Sequence, residues 1–122
     1  MAVFYWTEQM NLQEKIQAIA DHYGLDTQTT KLAEEGAELS AASLKNVAIM
    51  IRQENDEGGK KIELERKEAI AKCQEELADV LLVARQIEYL MLSWPEYEEQ
   101  ITRIMNEKAD RQLARIEEEK NE

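Results

Sequence analysis

The sequence predicts an all-α protein, a four-helix bundle formed by one domain. With one proline and four glycines in 122 residues, the chain has little of the turn chemistry that a β fold requires. Apolar residues recur instead at helical spacing along most of the chain. The length and the hydrophobic content of 43% suffice for one modest core. We therefore expect residues 1–122 to form a single domain.

The helix boundaries are predicted from capping residues and glycines. Asn11 with Glu14 three residues later forms a capping-box pattern, and Ser93 with Glu96 forms another. Gly24 can end the first helix in a left-handed turn, and the polar residues that follow it offer N-caps for a second helix. Together with the apolar periodicity, these signals predict helices at roughly residues 8–23, 27–53, 61–92 and 95–118.

The third predicted helix carries the clearest apolar period of the chain. Its apolar residues step alternately by three and four positions, which is the heptad pattern of helices packed at a shallow angle. We expect this helix at the centre of the bundle, with a buried stripe made of Ile70, Cys73, Leu77, Val80, Ala84, Ile87 and Met91. The only cysteine lies in this stripe and is expected to be a core thiol. The preceding segment at 55–59, NDEGG, is a candidate hinge or flap.

The composition is strongly acidic, and this excludes two classes of partner. A net charge of −11 and a pI near 4.6 oppose binding to nucleic acid or to an anionic membrane surface, because both need a basic patch. No run of the sequence approaches the ~18 apolar residues of a membrane span. We therefore expect a cytoplasmic protein with no nucleic-acid or membrane partner.

Two acidic pairs lie in the least charged parts of the second and third predicted helices. Glu35 and Glu38 are three residues apart, and Glu76 and Asp79 repeat that spacing, so the members of each pair project about 60° apart on one face. Each pair borders an apolar stripe, where neighbouring helices can bring the pairs together. Four converging carboxylates repel one another unless protons or a cation neutralise them, and their oxygens suit Mg²⁺ or Mn²⁺. Alternatively, in a chain with 26 acidic residues, both pairs are solvated surface charge.

The two acidic motifs resemble those of a known family. KLAEEGAEL at 31–39 and EELADVLL at 75–82 are similar to the ExxE and ExxD motifs of the all-α MazG-like nucleoside triphosphate pyrophosphohydrolases, and the resemblance covers most of the chain. NEKADR at 106–111 resembles the N-x-K-x-x-R pattern that often follows on the last helix of that family. The resemblance implies metal ligands at Glu35, Glu38, Glu76 and Asp79, and contacts with the substrate phosphates at Asn106, Lys108 and Arg111.

The resemblance also implies a reaction and an assembly. A protein of this family uses Mg²⁺, or Mn²⁺ in its place, to cleave a ribo- or deoxyribonucleoside triphosphate to the monophosphate and pyrophosphate, a reaction suited to nucleotide house-cleaning. Water would attack the α-phosphorus in line, and Glu38 is the expected general base. Because family members pair such bundles into dimers or tetramers, we expect a homo-oligomer, and a tetramer rather than a dimer.

Two alternatives stay open beside this interpretation. Phosphoribosyl-ATP pyrophosphohydrolase of histidine synthesis has a similar motif, although its relatives usually carry a histidine soon after the ExxD aspartate, where this chain reads VLLVARQ. A non-enzymatic helical interaction module would instead use the apolar heptads as a dimer seam. A ferritin-like dimetal protein does not fit, because it needs Glu-x-x-His on two helices and the chain has one histidine. The 37 residues between Glu38 and Glu76 exceed the separation in compact members of the MazG-like family.

Overall fold

The computed structural model describes residues 9–55 and 59–122, and within these ranges it is helical and has no strand. The helices are α1 (Leu12–Glu54), α2 (Gly59–Met91) and α3 (Tyr97–Lys120). The prediction of an all-α fold is confirmed for this part of the chain. The predicted start of the first helix at residue 8 and the centre of the predicted flap, 56–58, lie outside the described residues.

The chain divides into two compact units. The first, Met1–Leu90, is called the hairpin unit because it holds α1 and almost all of α2. The second, Met91–Glu122, is called the C-terminal unit and holds α3. None of the described helices is both long enough and apolar enough to cross a membrane.

The N-terminus of α1 is fixed by the predicted capping box. The Asn11 side-chain oxygen accepts a hydrogen bond from the Glu14 backbone N–H at 2.8 Å, and the Glu14 carboxylate accepts one from the Asn11 N–H at 3.3 Å. These two bonds satisfy backbone donors that have no partner inside the helix. The prediction of a capping box at Asn11 is therefore confirmed.

The first two predicted helices are joined in α1 and are separated only by a kink at Gly24. Its φ of 82° and ψ of 172° are the only non-helical angles within α1, and a positive φ favours glycine. The hydroxyls of Thr29 and Thr30 donate to the carbonyls of Leu25 and Asp26, at 2.8 and 3.1 Å. These bonds reach back one helical turn, so the polar residues after the glycine lie inside the helix and do not cap a separate one.

Helices α1 and α2 pack as an antiparallel hairpin. Near its open end, the Tyr89 hydroxyl donates to the Asp21 carboxylate at 3.0 Å, although 68 positions separate the two residues. Near the connecting loop, Arg52 donates to Glu65 at 3.1 Å, and these residues are 13 positions apart. Residues early in α1 therefore meet residues late in α2, as in a hairpin of two helices.

The buried face of the hairpin repeats every seven residues and includes polar side chains. In α1 the repeat consists of Gln28, Glu35, half-buried Ala42 and Ile49, and in α2 of Ile62, Ala69, Glu76 and Val83. The predicted apolar stripe of α2 is wrong at Ile70 and Leu77, which are 41% and 46% exposed in the single chain. Its members Cys73 and Val80 are half-buried. The buried stripe of α2 contains Glu76. A search for apolar residues alone therefore selects the neighbouring positions, Ile70 and Leu77, in place of Ala69 and Glu76.

Helix α3 differs from the hairpin because none of its residues is buried. Its N-cap is Glu96, which has a left-handed φ of 65° and makes no side-chain capping bond. The predicted capping box of Ser93 with Glu96 is therefore wrong. The chain forms a turn around Pro95, and the helix therefore begins at Tyr97, too late for Ser93 to be its N-cap.

Candidate metal centre

Four carboxylates meet at the middle of the hairpin, and they are the four that the sequence predicts as metal ligands. Glu35 and Glu38 stand one turn apart on α1, and Glu76 and Asp79 stand one turn apart on α2. One oxygen from each of them lies within 4.8 Å of the corresponding oxygens of the other three. We call these four residues the carboxylate quartet.

The quartet combines two buried and two exposed members. Glu35 and Glu76 occupy heptad positions of the seam and are only 8% and 7% exposed, whereas Glu38 and Asp79 are open to solvent. The prediction that each pair borders the seam therefore fails for Glu35 and Glu76, which lie in it. Because acidic side chains are almost never buried without compensation, their position calls for a proton or a positive charge nearby.

Part of that charge comes from lysines on the same helices. The Lys31 ammonium lies 3.0 Å from Oε1 of Glu35, and the Lys72 ammonium lies 3.0 Å from Oε1 of Glu76. Each of these bonds raises the pKa of its lysine, mainly through the hydrogen bond to the carboxylate. The Lys31 and Lys72 side chains are 49% and 60% exposed, and their charges neutralise the quartet only in part.

The second oxygens of the buried pair have no partner. Oε2 of Glu35 and Oε2 of Glu76 are inaccessible to solvent and accept no hydrogen bond. A buried carboxylate oxygen without a donor costs free energy that a bound cation would recover. The repulsion also acts on Glu38, whose pKa is raised first by the charge of Glu35 and also by the charge of Glu76.

The donor set of the quartet fits a hard divalent cation. All four candidate ligands are carboxylates, and Mg²⁺ and Mn²⁺ prefer carboxylate and water oxygens. The set contains no thiol or imidazole of the kind that favours zinc or copper. The quartet and its two orphaned oxygens therefore suit a cation of the magnesium class.

The lysines belong to a repeat that the sequence prediction missed. The pattern K-x-x-E-E-x-x-E at 31–38 recurs 41 positions later as K-x-x-E-E-x-x-D at 72–79. The contacts recur with it, since Lys31 lies 3.7 Å from Glu34 and Lys72 lies 3.7 Å from Glu75. A search for internal similarity centred on the acidic pairs would have revealed both lysines.

A cavity of about 610 Å³ opens beside the quartet within the hairpin unit. Its walls include two quartet members and several polar side chains, among them Tyr23, Gln28, Lys31, Glu35, Asp79 and Gln86. Nε2 of Gln28 donates to Oε1 of Gln86, and both amides are buried. This bond uses one donor and one acceptor, so the pair retains further hydrogen-bonding capacity. The sequence prediction missed both glutamines, because it looked for buried positions among apolar residues only.

The residues predicted to contact phosphate lie on α3. Asn106, Lys108 and Arg111 are all exposed and belong to the C-terminal unit. Asn106 also lines a cavity of about 960 Å³ that is formed within this unit. Their role toward a substrate stays a prediction.

Comparison with protein-family models gives no match to this chain, and comparison with curated proteins and with solved structures gives none either. The similarity to MazG-like proteins therefore rests on the two acidic motifs and the N-x-K-x-x-R pattern alone.

Proposed function

We propose that the quartet holds Mg²⁺ or Mn²⁺ and that the protein is a nucleoside triphosphate pyrophosphohydrolase of the MazG-like kind. The observation that carries the proposal is the pair of orphaned Oε2 atoms, on Glu35 and Glu76, at the meeting point of four carboxylates. Solvated surface acids would not be buried with an unpartnered oxygen. The substrate would be a ribo- or deoxyribonucleoside triphosphate in the cytoplasm, and the task nucleotide house-cleaning.

The proposed mechanism assigns distinct work to the buried and the exposed acids. The bound cation would polarise the phosphate oxygens and lower the pKa of an attacking water. Glu35 and Glu76 would hold it through their Oε2 atoms, which have no other partner. Glu38 is exposed and has a raised pKa, so its carboxylate is suited to accept the proton of the water. Attack at the α-phosphorus breaks the bond to the β-phosphate oxygen and yields a monophosphate and pyrophosphate.

The cavity beside the quartet supports a substrate with a polar group next to its phosphates. Its volume of about 610 Å³ can accommodate a nucleoside, and Tyr23 and the two buried amides supply an aromatic face and hydrogen bonds. A triphosphate would extend from there over the quartet. Asn106, Lys108 and Arg111 are the proposed further contacts for the phosphates.

A homo-oligomeric four-helix bundle, a tetramer or a dimer, is part of the proposal. Large apolar side chains are exposed in both units of the single chain: Leu44, Val47, Ile51, Leu64, Ile70 and Leu77 in the hairpin unit, and Ile101, Ile104, Met105, Leu113 and Ile116 in the C-terminal unit. Exposed apolar surface of this extent is typical of faces that pack against another chain. A sedimentation mass equal to one chain would contradict the oligomer.

The function is tested by product analysis with a panel of nucleoside triphosphates. The panel holds ribo- and deoxyribonucleotides, canonical and modified, with Mg²⁺ or with EDTA, and it includes phosphoribosyl-ATP. We expect monophosphate and pyrophosphate with Mg²⁺ and no turnover with EDTA. Glu38→Gln should lower turnover roughly 10²- to 10⁴-fold while the protein stays folded. Cleavage of phosphoribosyl-ATP alone would favour the enzyme of histidine synthesis.

A helical interaction module is the second candidate, and the exposed apolar residues favour it. In that case the acids only solubilise the bundle, and Mg²⁺ should neither support turnover nor change the melting temperature. Absence of both effects across the panel would shift the conclusion to this candidate.

A further inference from the structure

Each of the two lysines is bound to a carboxylate oxygen that a second metal ion would need. Each ammonium lies 3.0 Å from Oε1 of a buried quartet member, Lys31 at Glu35 and Lys72 at Glu76. The only oxygens of these two carboxylates without a partner are the Oε2 atoms. A carboxylate bridges two metal ions by giving one oxygen to each. With Oε1 bound to an ammonium, each buried acid has a single oxygen to give.

The net charge of the carboxylates and lysines also favours a single divalent ion. The four carboxylates carry four negative charges and the two ammonium groups carry two positive charges, which leaves two negative charges. One divalent cation neutralises this remainder, and a second would leave an excess of two positive charges. Glu34 and Glu75 also lie near the lysines, but their side chains are 61% and 73% exposed and are screened by water.

The size of the cluster agrees with a single ion. The four candidate oxygens all lie within 4.8 Å of one another. Oxygens on opposite sides of one Mg²⁺ are about 4.2 Å apart, since each bond is about 2.1 Å long. Two ions in a paired site are about 3.5–4 Å apart and need ligands spread around both of them.

We infer that Lys31 and Lys72 restrict the quartet to one divalent ion, by occupying Oε1 of Glu35 and Glu76 and by supplying half of the neutralising charge. The lysines are positioning residues, because they act on the metal only through the carboxylates that they hold. The inference rests on the metal site proposed above. Without the lysines, both buried carboxylates could bridge, and four negative charges would accommodate two divalent ions.

The test is the number of Mn²⁺ ions bound per chain, measured by equilibrium dialysis with electron paramagnetic resonance of the free and bound ion. The full chain should bind one ion. The double variant Lys31→Met with Lys72→Met removes both ammonium groups, keeps the side-chain length, and should bind two. The matched control, Lys15→Met with Lys60→Met, removes the same charge from two exposed lysines outside the repeat and should bind one.

The remaining outcomes separate this inference from the proposed function. Two ions on the unchanged chain, or one ion on a folded Lys31→Met/Lys72→Met variant, would overturn the role of the lysines and leave the metal site standing. No bound ion on the unchanged chain would overturn the metal site and the lysine role together. If the double variant does not fold, Lys72→Met alone frees one carboxylate to bridge, and it should also bind two ions.

Discussion

Two parts of the same hairpin are built on the same seven-residue repeat and serve opposite purposes. The apolar segment, Ile49 with Ile62 and Ala69, is a small hydrophobic core. The polar segment buries amides and acids instead: Gln28, Glu35 and Glu76 are members of the repeat, and Gln86 is buried one turn after its member Val83. The first segment gains stability from burial, and the second loses stability by burying charge. The comparison separates the part of the hairpin that stabilises the fold from the part where charge is buried at a stability cost.

The strongest test of the comparison is Ile62→Ala. Ile62 is 2% exposed, and truncating a buried isoleucine costs about 2–5 kcal/mol because it removes burial and leaves a cavity. We expect that loss in the free energy of unfolding by urea, and no loss of Mn²⁺ affinity in the fraction that remains folded. A large loss of Mn²⁺ affinity would show that metal binding by the polar segment depends on the packing of the apolar segment.

The second test concerns the metal itself. At a Mn²⁺ concentration 100 times the dissociation constant, binding should stabilise the unchanged chain by about 2.7 kcal/mol. Glu35→Gln with Glu76→Gln should raise the melting temperature of the metal-free protein, because it removes repulsion, and should abolish the Mn²⁺ effect. The control Glu34→Gln with Glu75→Gln removes two exposed acids of the same repeat. Equal loss of the Mn²⁺ effect in both variants would contradict the site.

The third test addresses the buried amides. Gln28→Leu leaves Gln86 without its partner and should lower the free energy of unfolding by about 1–3 kcal/mol. The double variant Gln28→Leu with Gln86→Leu replaces both polar groups and should regain most of that loss. A double-mutant cycle from urea denaturation measures the coupling between the two side chains. Additive losses would mean that the amides do not depend on each other.

The smallest effect is expected from pH. The pKa of Glu38 is raised in the folded protein, so the fold favours the protonated carboxyl. Its contribution to stability is complete below the ordinary value of 4.5 and is lost as the pH rises through the raised pKa. The melting temperature of the metal-free chain should therefore fall more than that of Glu38→Gln as the pH rises above 4.5. If the melting temperatures of the two proteins depend on pH in the same way, the proposed repulsion between Glu38 and the other carboxylates is contradicted.

The comparison also explains which features the sequence could predict. The capping box at Asn11 and the four carboxylates follow from local spacing, and spacing survives folding unchanged. The buried stripe of α2 was misplaced because its seam contains Glu76, and an apolar pattern points to Ile70 and Leu77 instead. The polar partners Gln28 and Gln86 could not be paired from the sequence, because 58 positions separate them and only the antiparallel register brings them together.

The kink at Gly24 was foreseen only in part. Gly24 has the positive φ that a left-handed turn requires, but its ψ of 172° lies outside the left-handed helical region. Nothing local to the sequence indicates that the helix resumes at once, because threonines that bond back to the preceding turn are indistinguishable from threonines that cap. The same threonine hydroxyl can cap a new helix or bond back to the preceding turn, so the residue type alone does not show whether a helix begins there.

The position of the quartet has a consequence for the topology of the chain. Its carboxylates come from both helices, and 37 residues separate Glu38 from Glu76. A cation held by both would close this loop as a cross-link does, and a cross-link lowers the entropy of the unfolded chain more when the loop is longer. The apolar segment lies inside the loop and the capping box of α1 lies outside it. A loaded site would therefore keep the apolar segment tethered while the open end of the hairpin frays.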